Sequence, residues 1–351
     1  YGVDVYEAAP EPGGLLRWGI PKYRLSQAAV AAEIQRIQGL GVAIHTGRRM
    51  AGDFLVQAAE THDAVFLATG HCAGLRLGIP GEELPGVEDG MRFLRGIAAG
   101  GCEPMEGDMA VVGGGNSAVD VARTVLRLGG RPIIIYRRRR RDMPAFPEEI
   151  DMALEEGVRL MELRSPVRID RDGRGLSVTL QEMEITGEDG KGRARVEPHP
   201  DRLETIAVNR VFVAVGQEAE NAWMNPPDTP GGHAVYNNSS MVITAGGFPV
   251  VRGGDLVNDA KNITQAVASG KEGAMVLDML FRHGLESVQP RLNECRVGDG
   301  RYLSMEVYRS GGRAARSRHV VLSLIHISEP TRLLSIPYAV FCLKKKKKHQ
   351  C

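Results

Sequence analysis

Cysteine is scarce and scattered. The five cysteines of this 351-residue chain stand at positions 72, 102, 295, 342 and 351, and no C-x-x-C occurs. That spacing gives neither a disulfide framework nor a redox-active dithiol, and no zinc or iron–sulfur ligand set within the chain. None of the nine histidines pairs with another at the i, i+4 spacing of a helical metal site. Long apolar runs are also missing, and none reaches the roughly 18 residues of a membrane-spanning helix. There is no signal peptide and no initiating methionine: the chain opens on Tyr1-Gly-Val-Asp-Val-Tyr6, inside a strand pattern. We therefore expect an N-terminally truncated, cytoplasmic protein that does not work on a membrane.

An excess of either charge is missing too. The formal net charge is +1, but Val321 to Cys351 carries Arg332 and Lys344 to Lys348 against Glu329, a net of +5 that leaves −4 for the rest. A mildly acidic body has no electrostatic footprint for nucleic acid or anionic lipid. The tail itself has apolar residues at neither the helical nor the strand period and ends in five lysines. It is similar to a sequencing-library adapter and a poly-A run translated in frame, and 321–351 is expected to be such an artefact.

Glycine, by contrast, is plentiful. The 43 glycines gather in short runs, as in α/β proteins with tight turns around ligands. The length suits two domains. A strand over Gly2 to Glu7 is followed by a helix over Gln27 to Leu40, then by strands at Val42 to His45 and Ala64 to Ala68. A Gly/Pro-rich stretch, Gly78 to Gly86, crosses to a second unit. There a strand at Met109 to Val112, a helix from Asn116 to Leu128 and a strand at Pro132 to Tyr136 read as β-α-β. Two further strands, around Gly157 to Leu163 and Leu176 to Ile185, read as antiparallel. Another buried strand lies at Val211 to Val215, and a loop then a helix follow from Gly253 to Arg282.

The strongest local signal is Val111-Val-Gly-Gly-Gly-Asn-Ser-Ala-Val-Asp120, which places G-x-G-x-x-A at Gly113, Gly115 and Ala118 between a strand and a helix. Gly113 permits the tight turn, Gly115 lets a pyrophosphate approach the backbone, and Ala118 lets helix and strand pack closely. The pyrophosphate would sit on the helix N-terminus at Asn116 and Ser117, where free N–H groups and the dipole favour negative charge. The next strand runs into Arg137-Arg-Arg-Arg-Arg141 with no acid before Asp142. An acid there would favour NAD, whereas guanidinium binds a 2′-phosphate in bidentate fashion, so Arg137 and Arg138 point to NADPH.

Weaker signals gain meaning together. Gly13-Gly-Leu-Leu-Arg-Trp-Gly-Ile-Pro-Lys-Tyr-Arg-Leu25, the Ala68-Thr-Gly70 turn, the glycine loop, Tyr136-Arg-Arg with Met143-Pro144, and Gly253-Gly-Asp255 stand in one order. Over roughly residues 1 to 285 the chain resembles the small (beta) subunit of glutamate synthase, and is similar to the N-terminal flavin half of dihydropyrimidine dehydrogenase. The resemblance implies FAD beside NADPH, held on two nested Rossmann-like dinucleotide-binding domains of an α/β fold. The FAD domain would comprise 1–105 and 211–290, interrupted by an NADPH domain at 106–210, with a C-terminal extension at 291–320. It also implies roles for single residues. Glu7 would hold the adenosine ribose of FAD. Gly14, Leu15 and Ile20 would lie along the flavin, with Thr69 and Gly70 at the crossover beside it. Gly254 and Asp255 would meet the ribityl and phosphate region, and Thr264 would open the helix aimed at the flavin.

A glycine loop for the FAD pyrophosphate would precede Tyr1. Arg252 stands where the resemblance implies alanine, and Gly246-Gly-Phe-Pro249 is atypical. The implied activity is an electron-input reductase: hydride from NADPH to FAD, then electrons through iron–sulfur clusters outside this chain to a large synthase or reductase subunit. No side chain acts as an acid, base or nucleophile in that scheme, and no metal ligand is assigned. The alternative is an NADP-binding fragment without FAD, or the input module of a pyrimidine or ferredoxin reductase.

Overall fold

The computed structural model describes residues 1–50, 53–71, 73–101, 103–173, 175–190, 192–219, 233–244, 246–258, 262–297, 302–309 and 339–344. The chain forms two compact units: Tyr1–Arg17, Ser26–His71 and Ala219–Cys351 make the first, Trp18–Leu25 and Cys72–Glu218 the second. Each is built on its own sheet. The segment Trp18–Leu25 thus leaves the first unit in mid-sequence and packs in the second.

The first unit starts with β1 (Gly2–Glu7), α1 (Gln27–Gln38), β2 (Ala43–His45), α2 (Phe54–Thr61) and β3 (Ala64–Ala68). Helix α1 buries Val30, Ile34 and Ile37, an i, i+4, i+7 stripe. Ile37 packs against Val5 of β1. In β3, Ala64 to Leu67 are all buried, as suits a strand covered on both faces.

The second unit follows as β4 (Val87–Asp89), α3 (Gly90–Ala98), β5 (Asp108–Val112), α4 (Asn116–Arg127), β6 (Arg131–Tyr136), α5 (Pro147–Glu155) and β7 (Arg159–Glu162). It continues through three antiparallel strands, β8 (Arg164–Asp172), β9 (Gly175–Glu188) and β10 (Ala194–Val208), to β11 (Arg210–Val213). Its five-stranded sheet runs β4-β11-β5-β6-β7, parallel throughout. One face of α4 is buried: Ala118, Val121, Ala122 and Val125, at i, i+3, i+4 and i+7, are fully enclosed. The β8–β10 layer contributes Ile169, Leu176, Val178 and Leu180 to a core shared with Ala110, Val112, Ile135 and Val211 of the sheet.

One expectation is corrected here. The strand near Gly157 to Leu163 is parallel, Ile133 lying opposite Arg159, not antiparallel. Helix α5, which the sequence reading passed over, supplies the crossover that returns the chain in the same direction.

The first unit then resumes with β12 (His233–Val235), β13 (Ser240–Ile243), β14 (Pro249–Arg252) and α6 (Ile263–His283), and ends in β15 (Ala339–Lys344). The sheet order is β12-β13-β14-β3-β15-β1-β2. Strand β14 runs parallel to β3 and β2 parallel to β1, whereas β15 is antiparallel to both its neighbours. The tail was expected to form nothing regular. A strand forms because β1 and β3 both present unpaired N–H and C=O edges to that position, and backbone pairing needs no apolar period. Residues 321–338 and 345–351 of the tail lie outside the described residues, as do 310–320, Cys72 and Cys102.

Candidate functional site

In the second unit the glycine loop joins β5 to α4. Gly113 has φ +144°, and a side chain there would meet the Ala214 carbonyl oxygen at 2.2 Å. At Gly114 a Cβ would fall 2.4 Å from the Tyr136 ring. Around Gly115 nothing lies within 4 Å of a Cβ, so the backbone is open to a ligand on that side. Helix α4 starts after Gly115 without a side-chain cap and with no acid in its first turn. Its first N–H groups therefore have no competing internal anion. Ala118 is fully buried against the loop, whereas Ser117 is partly exposed and lines a cleft of about 500 Å³. Val112 to Gly115, Tyr136 to Arg138 and Arg164 line it too. That volume suits a nucleotide.

Asn116 does something the sequence did not indicate. Its Oδ1 accepts the Phe146 N–H at 3.0 Å, and the Gly114 carbonyl accepts the Ala145 N–H at 3.2 Å. The side chain thereby braces the Met143–Phe146 loop against the glycine loop.

The five arginines divide cleanly. Arg139 donates to Asp142 through Nε at 2.7 Å and Nη2 at 3.1 Å. Arg140 pairs with Asp151, and Arg141 lies 3.7 Å from Glu188. Arg137 and Arg138 have no carboxylate partner among the described residues, and both line the cleft. Arg137 is exposed, and Arg138 is steadied by its Nε–H bond to the Ala194 carbonyl at 2.7 Å. The site thus holds two guanidinium groups without a carboxylate partner among the described residues, beside an open glycine loop.

A second set of carboxylates lies on the other side of α4. Asp120, 4 % exposed, accepts both of its bonds from Arg24 Nη1, at 2.7 and 2.8 Å. Arg24 also reaches Glu149 at 3.0 Å. Arg123 bridges Glu149 and Glu156, Arg127 joins Glu156, and Tyr23 stacks 3.9 Å from the Arg127 guanidinium. This ladder fixes Trp18–Leu25 to α4 and α5. Burial pushes the Asp120 carboxyl up to about 6, with Arg24 opposing. Single-sequence reading missed it because partners 96 residues apart leave no local signal.

In the first unit the predicted residues gather at the carboxyl ends of the strands, where ligands of open α/β sheets bind. Gly253 N–H bonds to the Leu67 carbonyl at 3.0 Å, which sets Gly254 and Asp255 beside Thr69 and Gly70. Gly254 (φ +66°) donates its N–H to Ser269 Oγ at 2.7 Å, and Gly70 (φ +67°) is buried. Glu7 and Ala68 both register with Ala339, one on each side of β15. Gly14 (φ +50°) and Leu15 lie on a single helical turn, Gly14–Trp18, and Thr264 is exposed in the first turn of α6. Ile20 is placed elsewhere. It belongs to the second unit, where it lines an apolar cavity of about 310 Å³ with Pro21, Tyr23, Leu94, Ile97 and Leu128.

Glu7 is the residue that asks for a ligand. It is 0 % exposed; Oε1 accepts the Ala9 N–H at 2.8 Å, and Oε2 has no hydrogen-bond partner among the described residues. Burial pushes its carboxyl up to about 7. A buried carboxylate oxygen without a donor is costly, and a ribose hydroxyl is a fitting donor. The residues present therefore fit FAD at Glu7 and NADPH at the glycine loop.

Residues 5–245 match the family model described as pyridine nucleotide-disulphide oxidoreductase. The chain belongs to this family. It is 36 % identical over 293 residues to the NADP(+)-dependent formate dehydrogenase subunit beta of Moorella thermoacetica, covering 82 % of this chain and 41 % of that protein. To the NADPH-Fe(3+) oxidoreductase subunit beta of Geobacter sulfurreducens it is 35 % identical, over 66 % of this chain and 35 % of the relative. The chain thus spans less than half the length of these two relatives. With the glutamate synthase [NADPH] small chain of Halomonas elongata it shares 29 % identity, over 79 % of this chain and 62 % of that one. Among solved structures, Mycobacterium tuberculosis FprA in complex with NADPH superposes with a TM-score of 0.57 at 18 % identity, covering 82 % and 83 % of the two chains. That likeness shows the fold, two Rossmann-like nucleotide-binding units, and the family is one of FAD- and NADPH-binding oxidoreductases. Among the described residues no helix is long and apolar enough to cross a membrane.

Proposed function

We propose that this chain is the FAD- and NADPH-binding part of an electron-input reductase. The observation that carries the reading is the division of the arginine turn, where two cations beside an open glycine loop are left without acids. Arg137 and Arg138 would grip the 2′-phosphate, and the N-terminus of α4 would take the pyrophosphate. Glu7 would accept hydrogen bonds from the FAD ribose, with Thr69, Gly70, Gly254 and Asp255 along the same sheet edge. When bound, NADPH supplies a hydride and FAD accepts it. The chain's residues bind and orient. We assign none of them a proton-transfer or nucleophilic role.

Electrons would leave through iron–sulfur clusters on a partner domain or subunit. The names of the relatives support this, being a beta subunit, a second beta subunit and a small chain. A cytoplasmic location belongs to the same proposal. The test is an anaerobic titration of the intact gene product with NADPH, followed by flavin absorption. Bleaching by NADPH at far lower concentration than by NADH is expected. A yellow protein indifferent to NADPH would refute the reading.

One observation favours a second reading, an NADP-binding module without flavin. Antiparallel β15 occupies the position between β1 and β3, inside the sheet that would hold FAD. A protein that purifies colourless yet binds NADPH would decide for that module.

A further inference from the structure

Asp142 has no assigned role, yet its carboxylate accepts four hydrogen bonds. It is 4 % exposed. Its Oδ2 accepts from Arg139 Nε at 2.7 Å and the Arg139 N–H at 3.3 Å, and its Oδ1 from Arg139 Nη2 at 3.1 Å and the Ala194 N–H at 3.0 Å. Its carbonyl accepts the Tyr136 hydroxyl at 2.8 Å, and the Tyr136 ring is the one that packs on Gly114. Ala194 is held from the other side as well, by Arg138 Nε on its carbonyl. Three pieces therefore meet on one residue: the glycine loop, the arginine turn and the end of the β9–β10 hairpin.

We propose that Asp142 is a positioning residue for coenzyme selectivity, clipping the hairpin at Ala194 to the arginine turn so that Arg137 and Arg138 are held ready for a 2′-phosphate. This rests on the reading of the turn as the phosphate site. Arg137 is exposed and its side chain makes no bond among the described residues, so the precision of its aim comes from the backbone beneath it. Arginine loses rotamer freedom when it grips a ligand, and a fixed backbone keeps that loss from growing. Arg138 depends on the hairpin more directly, because the bond that steadies it ends on Ala194. Arg139, adjacent in sequence, serves as a strut rather than a ligand: its Nε and Nη2 are both spent on Asp142. That pairing holds the Asp142 carboxyl down at about 2, so the clip stays charged at any working pH.

The chemistry of the clip makes it sensitive to a small change. Both carboxylate oxygens face donors only. In Asp142→Asn the amide nitrogen must face either the Arg139 guanidinium or the Ala194 N–H, donor against donor.

Two fragments separate aim from fold: 2′,5′-ADP carries the 2′-phosphate, 5′-AMP lacks it, and neither needs flavin. Calorimetry on the full chain should show 2′,5′-ADP roughly tenfold weaker in Asp142→Asn, with 5′-AMP unchanged within about twofold. Equal losses for both fragments, or no loss for either, would overturn the proposal. If the variant does not fold, hydrogen exchange on the unaltered chain carries the test. Backbone amides of 193–197 should be slowed by 2′,5′-ADP and not by 5′-AMP; identical exchange with both would sink the idea. Arg137→Ala keeps this separate from the wider reading. If it leaves 2′,5′-ADP binding intact, the phosphate assignment of the turn fails whatever Asp142 does.

Discussion

Glu7 and Asp142 are both carboxylates shut away from water near the carboxyl end of a strand, and they could hardly be treated more differently. Around Asp142 the protein supplies four donor contacts, and the carboxyl is held at about 2. Around Glu7 it supplies a bond to one oxygen, leaves the other bare, and the carboxyl rises to about 7. Burial alone therefore does not mark a binding group; unfinished burial does. Around Asp142 the second unit is complete internally and presents Arg137 and Arg138 outward, while on the proposed reading Glu7 of the first keeps an oxygen in reserve for a donor from elsewhere.

The largest expected effect tests how far that internal completeness reaches. Asp120→Ala strips Arg24 of its buried partner, and breaking such a pair costs about 3–5 kcal/mol. Thermal unfolding of the second unit should shift accordingly. A shift below about 1 kcal/mol would mean that Glu149 alone satisfies Arg24.

Glu7 should respond with the opposite sign. Its folded carboxyl titrates above the usual value near 4.5, so its contribution to stability is fully present below that pH and is lost as pH rises through about 7. The ligand-free protein should lose about 3 kcal/mol between pH 4.5 and 9 on this account. Glu7→Gln should flatten the slope, be the more stable form at pH 8, and hold FAD roughly tenfold more weakly. A slope that survives the substitution would assign the pH dependence to another group. Asp142 sharpens the contrast: its lowered carboxyl gives stability above about 3.8 that is lost only as pH falls through about 2.

Next in size, Arg137→Ala should remove a charge-assisted contact of about 1.5–3 kcal/mol, weakening NADPH roughly tenfold or more while NADH is nearly untouched. Smallest of all, Arg141→Gln removes an exposed pair 3.7 Å from Glu188, and should change neither coenzyme binding nor stability by more than about 0.5 kcal/mol. Comparable NADPH losses at 137 and 141 would mean that the turn acts as diffuse charge rather than through placed side chains.

These expectations also mark what could be read in advance. The β5–α4–β6 unit was legible because its evidence is local: an apolar stripe on α4, a glycine run and an arginine run within 30 residues. Arg137 and Arg138 stand out in the sequence only by their closeness to the strand end; that acids occupy Arg139, Arg140 and Arg141 is visible only in the structure. The Arg24–Asp120 ladder and the Ala194 clip were invisible, since each joins segments more than 50 residues apart. The direction of β7 was misread because α5 begins on Pro147 with a weak apolar pattern and was not recognised as a crossover. Ile20 was assigned by resemblance along a continuous stretch, and the chain changes units within it.

That change of units has a consequence for how the chain matures. The second unit needs only Trp18–Leu25 and Cys72–Glu218, all available once the ribosome has passed residue 218 by the length of its exit tunnel. The first unit must wait for β13, β14 and α6. Domains emerging from the ribosome tend to fold in order of completion, so the inserted unit should close first, with β3 left without its partners β14 and β15 in the meantime. Translation stalled near residue 250 should therefore yield a nascent chain whose second unit resists protease while Gly2–Ala68 is still cut.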